Sequence, residues 1–533
     1  MKDTVASSSF TKKRPRSNND EDILSNLSQW ITSTQQQQQQ QQGEAPSGFC
    51  HEAVRWRADT RELTVSRDID SDTLLFFIPA SCIVKPQNCT VEKVSKQPLE
   101  QKHLHHGLDD VLIAWYLATR PPSLEAYISS LPMIDIANAL PRRWPKDLLH
   151  HVLHGSPVLE NVEAQKRGVV QDYRILHAIL SDGKDEKPPS LEAFDQAMAV
   201  VSSRAFAGTM EGSACLIPLL DLCNHQRGGG GGGGGGTNEG AGRQTKNLRY
   251  AWDDHGNMVV HAARTIGQDN DILRITYGAQ SNGQLLVNYG FCIPDNLEPD
   301  GSSNNVYEFK PVPSSSTIIL LRMGPKSYTY GPLVQAVEAL GTPEAYRQGI
   351  AAVANSDEDE QILDVNDGGP DDMEAFLNGC EDDEDDNDDD NEGPYCGNDC
   401  MYTRHFDIDA QEDDGAIDSA MKQQKRSDLL ALESFYERLA SLLQSYDMDT
   451  ETPSAPVLNT AAATTTKLQY AKLLVESEQE ILRFYQVMVA ELLSKLDTTS
   501  GKTWIAPISM SETQREQIQS LVDAFFQIRY TML

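Results

Sequence analysis

Short apolar runs alternate with polar breaks in the part of the chain that follows residue 50. The segments "ELTVSRDI" and "TLLFFIPASCIV" are rich in β-branched and aromatic residues, and a polar "DSD" separates them. Such runs between turn residues predict two β-strands. The next segment, "HGLDDVLIAWYLATR", places its apolar residues at helical spacing, and Pro121 and Pro122 end it. The pattern therefore predicts strands first and then a helical region.

The apolar pattern returns to strand-like runs between Pro218 and Asn296. These runs are "IPLLDL", "LRYAW", "MVVHAA" and "DILRITY", and "DDHGN" between the second and third predicts a hairpin turn. Two sheet-forming segments thus flank a helical insert at about residues 100–206. We expect them to form one interrupted β domain over residues 46–310.

From about Leu333 onward the apolar residues follow a period of 3.6, which is typical of amphipathic helices. Three segments carry this stripe: "SDLLALESFYERLASLLQSY", "KLQYAKLLVESEQEILRFYQVMVAELLSKL" and "SETQREQIQSLVDAFFQIRY". Ser427 and Asp428 are the predicted N-cap of the first. The predicted fold class is therefore α+β, with small sheets interrupted by a helical insert and followed by an all-α C-terminal domain over residues 311–533.

Charge is unevenly distributed and changes the picture of the C-terminal half. The formal net charge is −34, and residues 357–392 contribute nineteen acidic side chains and no lysine or arginine. Such a block is expected to be solvated and disordered, so we assign about residues 355–400 to an acidic insert. The acidic balance offers no electrostatic footprint for a phosphate backbone, and we expect no nucleic-acid partner.

The first 45 residues are rich in serine and contain a glutamine run, which predicts a disordered tail. The basic sequence "KKRPR" at residues 12–16 is either a nuclear import signal or a group of surface charges. The run "LLFFIPASCIV" is shorter than the ~20 residues of a membrane span, and the N-terminus has no signal-peptide core. We expect a cytoplasmic protein, a nuclear protein or both, with no membrane partner.

Nine scattered cysteines are typical of the reduced thiols of an intracellular protein. One close pair, Cys396 and Cys400, needs two further ligands to bind zinc, and Cys380 and His405 are the nearest candidates. The interpretation that we favour is an ordinary pair of thiols in a disordered segment, so we expect no metal site.

Three short segments concentrate residues that can carry chemistry. "VVSSRAFAG" ends a predicted helix, "IPLLDLCNH" ends a buried strand in Asn224 and His225, and "ITYGAQSNGQLLVNYGF" follows later. The last segment predicts a strand leading to Tyr277, a glycine turn and a helix capped by Ser281, with Tyr289 near its far end. Polar residues where a buried strand ends are a common place for functional groups. Each segment alone is also compatible with ordinary packing.

Together and in this order, the segments resemble the SET-domain methyltransferases, in the branch of the Rubisco large-subunit lysine methyltransferase and the actin-histidine methyltransferase. That branch carries an "SRxF" helix end, a "P-x-x-D-x-x-N-H" strand and an "I-x-Y-G-x-x-S-N-x-x-L-x-x-x-Y-G-F" segment. The matching residues are Ser203, Arg204, Phe206, Pro218, Asp221, Asn224, His225, Tyr277, Gly278, Ser281, Asn282, Leu285, Tyr289, Gly290 and Phe291. The resemblance extends upstream to "RDIDSDTLLFFIP" and "YISSLP". It implies a SET-type fold and a C-terminal substrate-binding domain.

The resemblance also implies S-adenosyl-L-methionine as the cofactor. Asn224 is expected to hold its polar end, His225 to contribute backbone contacts to the adenine, and Phe291 to stack on the adenine. The implied cofactor-binding residues are Thr60, Arg61, Arg204, Asn224, His225 and Phe291. Thr60 and Arg61 stand where the branch has a glycine-rich segment, and no glycine occurs at positions 59–63.

The same resemblance implies a narrow aromatic channel for the acceptor side chain. Tyr277 and Tyr289 are the implied catalytic residues, with the Tyr277 hydroxyl near the methyl group and the amine. Arg204, Asp221 and Tyr289 are the implied substrate-binding residues, with Asp221 at the substrate mouth. A lysine, with a solution pKa of ~10.4, must lose its proton and its water before it attacks, and such a channel favours this by desolvation.

We therefore predict a protein-lysine N-methyltransferase that acts on a non-histone protein, since no cysteine-rich zinc segment follows Phe291. Two alternatives stay open: a protein-histidine N-methyltransferase, and a SET-fold interaction scaffold without catalysis. We expect a monomer. The nine glycines at residues 228–236 are predicted only to lengthen a surface loop, because the cost of loop closure rises slowly with length.

Overall fold

The computed structural model describes most of the two regions that the sequence predicts to be folded. The described residues are 23–42, 48–57, 60–88, 104–180, 188–208, 213–225, 247–267, 272–298, 302–313, 315–324, 326–341, 414–446, 461–497, 504 and 510–531. Several predicted features lie outside these residues: the basic sequence at 12–16, the glycine run at 228–236, the acidic insert at 355–400, and the candidate zinc ligands Cys380, Cys396, Cys400 and His405.

The strands are short and form small sheets. Their bounds are β1 Phe49–Cys50, β2 Val54–Arg57, β3 Glu62–Val65, β4 Leu74–Ile78, β5 Phe206–Ala207, β6 Ala214–Cys215, β7 Asn224–His225, β8 Leu248–Trp252, β9 Met258–Ala262, β10 Arg274–Ile275, β11 Val306–Phe309 and β12 Ile319–Arg322. An antiparallel four-stranded sheet has the order β1-β4-β9-β8. The pairs β2–β3, β5–β6 and β11–β12 are antiparallel, and β7–β10 is parallel.

The hairpin of β8 and β9 confirms the turn predicted at "DDHGN". The Asp253 carboxylate accepts hydrogen bonds from the main-chain N–H groups of His255 and Asn257, each at 2.9 Å. Gly256 closes the turn with a φ of 73°, in the left-handed region that glycine adopts without a steric penalty. The local sequence therefore sets this hairpin.

Helices fill the segment between the sheet-forming parts and dominate the C-terminal half. Their bounds are α1 Ile23–Gln42, α2 Leu108–Thr119, α3 Glu125–Ser130, α4 Met133–Ala139, α5 Lys146–Val152, α6 Val158–Leu180, α7 Leu191–Arg204, α8 Asn282–Tyr289, α9 Lys326–Leu340, α10 Asp414–Tyr446, α11 Ala461–Leu496 and α12 Glu512–Thr531. Arg120, with a φ of 50°, ends α2 just before the two predicted proline breakers. Within the described ranges, no helix has both the length and the apolar character needed to cross a membrane. The fold class is α+β.

The first helix corrects the prediction of a disordered tail for residues 23–42. Leu27 and Ile31 of α1 are buried in the same core as Phe76 of β4 and Tyr127 of α3. Apolar residues at helical spacing precede the glutamine run, so the helix has a face to bury although its composition is polar overall. This part of the tail is therefore a structural element of the β domain.

The segment "IPLLDL" is not a strand, contrary to the prediction. Leu220–Leu222 form a 3-10 turn, and Leu219 before it has a φ of 70°. The main-chain N–H of Asp221 donates to the carbonyl of Ile217 at 3.0 Å. A short buried apolar run does not by itself distinguish a strand from another compact conformation, which explains the error.

A second apolar core fills the C-terminal region and includes a hairpin. Tyr307, Phe309, Ile319 and Leu321 of β11 and β12 pack with α9 to α12. The C-terminal domain is thus not all-α as predicted, and the predicted boundary after residue 310 falls inside this hairpin. The two strands have four residues each, which is too short for a clear alternating pattern.

Asp428 does not cap a helix, because α10 begins at Asp414 and continues through it. Its buried carboxylate accepts hydrogen bonds from Nε and Nη2 of Arg529, at 2.7 and 2.8 Å, and from the hydroxyl of Tyr530 at 2.7 Å. The Ser-Asp sequence before an apolar run imitates an N-cap, whereas the residue instead joins α10 to α12.

The two cores meet along α8 and α11. Leu286 and Val287 of α8 pack against Ala471 and Leu474 of α11. Close to this contact, the hydroxyl of Ser156 donates to the Glu478 carboxylate of α11 at 3.0 Å. The apolar face of α8 is therefore covered by the C-terminal helices.

Candidate active site

Asn224 and His225 lie next to the strand that leads to Tyr277. β7 pairs in parallel with β10, so that Asn224 lies opposite Arg274 and His225 lies opposite Ile275. The Nδ1 atom of His225 accepts a hydrogen bond from the main-chain N–H of Tyr277 at 3.0 Å. Because Nδ1 is an acceptor, the neutral imidazole carries its hydrogen on Nε2. The structure thus brings the second and third predicted segments together.

Four aromatic rings gather where these strands end. The rings of Tyr277 and Tyr289 are stacked, with centroids 4.9 Å apart and planes 18° apart. The ring of His225 lies 4.9 Å from that of Tyr277 and 6.3 Å from that of Phe291. Centroid distances of this size are favourable for aromatic pairs, so the rings hold one another in place. They are suited to form an apolar wall.

The sequence around α8 fixes the two aromatic residues at its end. Ser281 caps the helix by accepting from the N–H of Gln284, and the Gln284 side chain completes the capping box. Gly290 ends the helix in the left-handed region, with a φ of 78°. A Cβ atom at Gly290 would lie 2.7 Å from the Cβ of Ala139 in α4. Glycine is therefore required both by the backbone and by the close approach of α4.

Asn282 joins the start of α8 to the chain beyond its end. Its Nδ2 donates to the carbonyl of Ile293 at 3.1 Å, and its Oδ1 accepts from the N–H of Ile293 at 2.9 Å. Its own N–H donates to Oδ1 of Asn305 at 2.9 Å. Because Asn282 is buried, these bonds are shielded from water and fix the path of the chain around Phe291.

The hydroxyl of Tyr277 donates to the carbonyl of Cys223 at 2.9 Å. Burial raises the pKa of Tyr277 well above its ordinary value, while the charge of Arg204 acts in the opposite direction. Burial raises the pKa of Tyr289 as well. Both hydroxyls therefore keep their protons at neutral pH and can act as hydrogen-bond donors rather than as bases.

Arg204 and Asp221 adjoin each other, but Asp221 does not lie at an open mouth. Nη1 of Arg204, the last residue of α7, donates to the main-chain carbonyl of Asp221. Asp221 is 3% exposed, and its Oδ2 accepts from the hydroxyl of Tyr127 at 2.5 Å. The structure thus corrects the predicted place of Asp221 at the substrate mouth. Tyr127 covers the carboxylate. Because Tyr127 and Asp221 are 94 residues apart in the sequence, no local pattern predicts this contact.

The surroundings of Asp221 leave two buried polar atoms without hydrogen bonds. Burial raises the pKa of Asp221 to about 6, and the charge of Arg204 and the hydrogen bond from Tyr127 both lower it. Oδ1 of Asp221 and Nε of Arg204 have no partner among the residues that the structure describes. Buried polar atoms are normally paired, so these two are suited to receive a polar group of a ligand or a water molecule.

Thr60 and Arg61 lie in the turn between β2 and β3. Arg61 has a φ of 58°, a left-handed conformation that costs a non-glycine residue roughly 1–2 kcal/mol. Its Nη1 forms an ion pair with Asp135 of α4 at 2.8 Å, and the other end of α4 contacts Gly290. The chain therefore makes the turn without glycine and ties it to α4. A direct contact of exposed Thr60 or of Arg61 with the cofactor stays a prediction.

A cavity of about 270 Å³ lies at the opposite end of α8. Ser281 and Gln284 line it, together with Arg322 and Glu478. It contains none of the predicted site residues. Residues 209–212 and 226–246, which flank the site in the sequence, lie outside the described part of the chain.

Two residues to which the sequence assigned no role contribute to the site. Tyr127 donates to Asp221, and Asn282 fixes the turn after α8. Both belong to segments that carry the family resemblance, "YISSLP" and "ITYGAQSNGQ". This membership is the one sequence signal that could have indicated a role for them in the site. In the described ranges, no group of three or more His, Cys, Asp or Glu side chains is arranged to hold a metal ion.

Comparison with curated proteins finds relatives among protein methyltransferases, while no family model matches the chain. The N-lysine methyltransferase SETD6 of Mus musculus is 24% identical over 281 residues, which cover 48% of this chain and 55% of that protein. The actin-histidine N-methyltransferase of Dasypus novemcinctus is 22% identical over 294 residues, which cover 52% of this chain and 44% of that protein. The chloroplastic [fructose-bisphosphate aldolase]-lysine N-methyltransferase of Arabidopsis thaliana is 24% identical over 237 residues, which cover 43% and 45%. The chain spans about half the length of these relatives.

Solved structures share the fold. Rubisco LSMT bound to sinefungin and monomethyllysine has a TM-score of 0.52 and 14% identity, covering 88% of this chain and 94% of that chain. The SET domain of LSMT bound to methyllysine and AdoHcy has a TM-score of 0.51 and 14% identity, covering 95% and 99%. At this identity the likeness establishes the fold alone. Together with the curated relatives, it confirms the resemblance to the SET-domain branch that the three segments indicate.

Proposed function

We propose that this protein is an S-adenosyl-L-methionine-dependent protein-lysine N-methyltransferase that acts on a non-histone protein. The observation that carries the proposal is the stacked pair of Tyr277 and Tyr289 beside Asn224 and His225. These residues come from separate segments, and the fold gathers them into one aromatic wall next to a polar strand. The names of two curated relatives, which specify lysine as the acceptor, support the choice of lysine.

The polar groups of the site fit the cofactor. The Asn224 side chain makes no hydrogen bond within the described residues, so its amide is available to the polar end of the ligand. Nε of Arg204 is buried and also without a partner there, and it can donate to a carboxylate. The ring of Phe291 stands beside His225 and is placed to stack on an adenine. When bound, S-adenosyl-L-methionine supplies a methyl group on a positively charged sulfur.

The aromatic wall prepares the acceptor amine. The rings of Tyr277 and Tyr289 exclude water, which disfavours the ammonium form of a lysine and favours the neutral amine. The Tyr277 hydroxyl keeps its proton and stays fixed by the carbonyl of Cys223, so it presents an oxygen of fixed position to the reacting groups. Positioning of this kind lowers the activation barrier by several kcal/mol. The upper limit for well-oriented reactions is about 7–11 kcal/mol.

A histidine acceptor is the second candidate function. One curated relative is an actin-histidine N-methyltransferase, and Oδ1 of Asp221 is a buried acceptor with no partner in the described part of the chain. An imidazole needs less deprotonation than an ammonium, but it needs a hydrogen-bond partner to fix its tautomer. Asp221 could supply this partner only to an imidazole that enters far enough to reach its buried carboxylate.

Several properties of the whole protein belong to the same proposal. We assign the chain from residue 46 up to the start of β11 to a SET domain with a helical insert, and the region that begins with β11 to a substrate-binding domain. We also propose a monomer in the cytoplasm, the nucleus or both, with a protein substrate and no nucleic-acid or membrane partner. The covered face of α8 supports treating the two domains as one working unit.

The test has two stages. In calorimetry, we expect the wild type to bind S-adenosyl-L-methionine. The affinity of Asn224→Ala should be at least about tenfold weaker than that of the wild type, a loss of about 1.4 kcal/mol in binding free energy. Absence of heat and of a thermal shift at millimolar cofactor would favour the inactive scaffold. Radiolabelled cofactor is then incubated with the protein and an extract of its own cells, and mass spectrometry of the labelled band identifies a methylated lysine or a methylated histidine.

A further inference from the structure

An unbroken set of contacts leads from the N-terminal helix to the candidate site. Nε1 of Trp30 in α1 donates to the carbonyl of Ser123 at 2.8 Å. The ring of Trp30 stacks on that of Tyr127, with centroids 6.2 Å apart and planes 14° apart. Tyr127 is fully buried in α3, and its hydroxyl donates to Oδ2 of Asp221.

Asp221 lies in the 3-10 turn Leu220–Leu222, and the residue after this turn, Cys223, is the hydrogen-bond partner of the Tyr277 hydroxyl. Arg204 holds the main-chain carbonyl of Asp221, and the carbonyl of Cys223 two residues later accepts from Tyr277. Tyr127 is the side chain that holds the carboxylate itself, since the other carboxylate oxygen has no partner among the described residues. The turn is thus fixed from α3, from α7 and from the segment after β10.

We propose that Tyr127 is a positioning residue of the candidate active site, and that its ring makes α1 part of the support of that site. Its hydroxyl holds the Asp221 carboxylate, and with it the turn that presents the Cys223 carbonyl to Tyr277. The assignment rests on the proposed function, but the coupling of Tyr127 to Asp221 is measurable without methyl transfer.

The coupling has a defined dependence on pH. The groups that face Asp221 are Tyr127 from α3, Arg204 from α7, Tyr277 after β10, and the neighbouring Cys223. Burial raises the pKa of Asp221 to about 6 from 3.8, so the stability that it contributes is complete below about pH 4 and is lost as pH rises through 6. The hydrogen bond from Tyr127 lowers this pKa. Removing the hydroxyl therefore raises the folded-state pKa, so the loss of stability still begins near pH 4 but becomes larger and continues to higher pH.

The experiment measures the free energy of unfolding of the full chain by urea between about pH 3 and pH 8. The variants are Tyr127→Phe, Asp221→Asn and the double variant, and Tyr173→Phe is the control. Tyr173 lies in the same core and donates its hydroxyl to the carbonyl of Pro189 at 2.9 Å, away from Asp221. Subtracting each Asp221→Asn curve from its parent isolates the titration of Asp221.

We expect the folded-state pKa of Asp221, fitted from this difference curve, to rise by about one unit in Tyr127→Phe, which moves the midpoint of the curve upward by about half a pH unit. Tyr173→Phe should leave the midpoint in place. Tyr127→Phe should add no pH-dependent effect in the Asp221→Asn background. A difference curve that superimposes on that of the wild type overturns the proposal. If Tyr127→Phe does not fold, Trp30→Phe is measured in its place: a smaller upward shift supports the proposal, and no shift overturns the part assigned to α1.

Methyl transfer from radiolabelled cofactor to the cell extract is the second measurement. For an active wild type, we expect Tyr127→Phe to shift the acid limb of the rate profile upward while the dissociation constant of the cofactor changes less than twofold. An active Tyr127→Phe with an unchanged profile overturns the positioning role. A wild type that transfers no methyl group refutes the proposed function instead, while the unfolding curves still decide whether Tyr127 holds Asp221.

Discussion

The ring of Tyr289 stacks on that of Tyr277, with centroids 4.9 Å apart, so the end of α8 is held against the end of β10. The hydroxyl of Tyr277 meanwhile bonds to the carbonyl of Cys223. The two tyrosines therefore depend on different properties. Tyr289 contributes the stacking of its ring, whereas Tyr277 contributes both its ring and a hydrogen-bonded oxygen.

Tyr277→Phe should lower the single-turnover rate about ten- to a thousandfold, which corresponds to roughly 1.4–4 kcal/mol. Stacking on Tyr289 persists because the ring remains, while loss of the hydrogen bond to Cys223 should lower the stability by about 1 kcal/mol. Melting temperature, cofactor affinity and rate are measured together. Tyr173→Phe, the control, should show a similar loss of stability and a normal rate. An unchanged rate in Tyr277→Phe would remove Tyr277 from the catalytic residues.

Gly290→Ala should destabilise the protein more than Gly256→Ala. Both glycines have left-handed φ values, 78° and 73°, and each substitution incurs a backbone cost of about 1–2 kcal/mol. A Cβ at Gly256 finds its nearest neighbour at 3.9 Å, whereas one at Gly290 meets the Cβ of Ala139 at 2.7 Å. The extra loss, measured by chemical unfolding, reports the close packing of α4. Equal losses in the two variants would contradict that packing.

Glu478→Gln should become more favourable relative to the wild type as pH rises. Glu478 is buried and accepts from the hydroxyls of Ser156 and Tyr446, each at 3.0 Å, and burial raises its pKa to about 8 from 4.5. Because the folded-state pKa is raised, the stability contributed is complete below about pH 4.5 and is lost as pH approaches and passes 8. Glutamine does not ionise. The difference in unfolding free energy should therefore change by a few kcal/mol between pH 5 and pH 9.

The control for that measurement is Glu476→Gln, which changes an exposed carboxylate on the same helix. Its difference from the wild type should stay nearly constant over the same pH range. If the difference for Glu478→Gln is as constant with pH as that for Glu476→Gln, the carboxylate of Glu478 is solvated in the folded protein. The assignment of this carboxylate to a buried position between the two cores would then be wrong.

Leu27→Ala in α1 should cost about 2–5 kcal/mol of stability, the usual cost of a buried large-to-small change. Leu27 is fully buried, although a disordered segment is predicted here from composition. Asn26→Ala changes an exposed neighbour on the same helix and should alter stability by less than about 0.5 kcal/mol. Melting curves of both variants that coincide with that of the wild type would show that α1 is not docked.

Local signals in the sequence predicted the parts of the site that depend on neighbouring residues. The Ser281 cap, the turn at Gly256 and the break after α2 follow from caps, glycine and proline, which act within a few residues. The order of the three segments also indicated that Asn224, His225 and Tyr277 meet. The parallel pairing of β7 and β10 confirms that meeting.

The remaining contacts are decided by tertiary packing, which no local pattern encodes. Tyr127 is 94 residues from Asp221 in the sequence, and Arg529 is 101 residues from Asp428. The sequence therefore predicts Asp221 at the substrate mouth and Asp428 in a helix N-cap, whereas the structure pairs both carboxylates with these distant side chains. For α1, the glutamine run led to a prediction of disorder, although Leu27 and Ile31 lie at helical spacing. Composition describes what a segment exposes on average, whereas two buried residues are enough to dock a helix.

The contact between α8 and α11 has a consequence for the order in which the protein matures. α8 carries Tyr289 and ends at residue 289, but its apolar face packs on Ala471 and Leu474. A chain emerging from the ribosome at ~5–20 residues per second exposes that face for roughly 10–40 seconds before its partner is synthesised. The nascent β domain thus presents an uncovered helix to chaperones. A stop codon placed between the two helices should yield an aggregating product, even though every residue of the aromatic wall is already present.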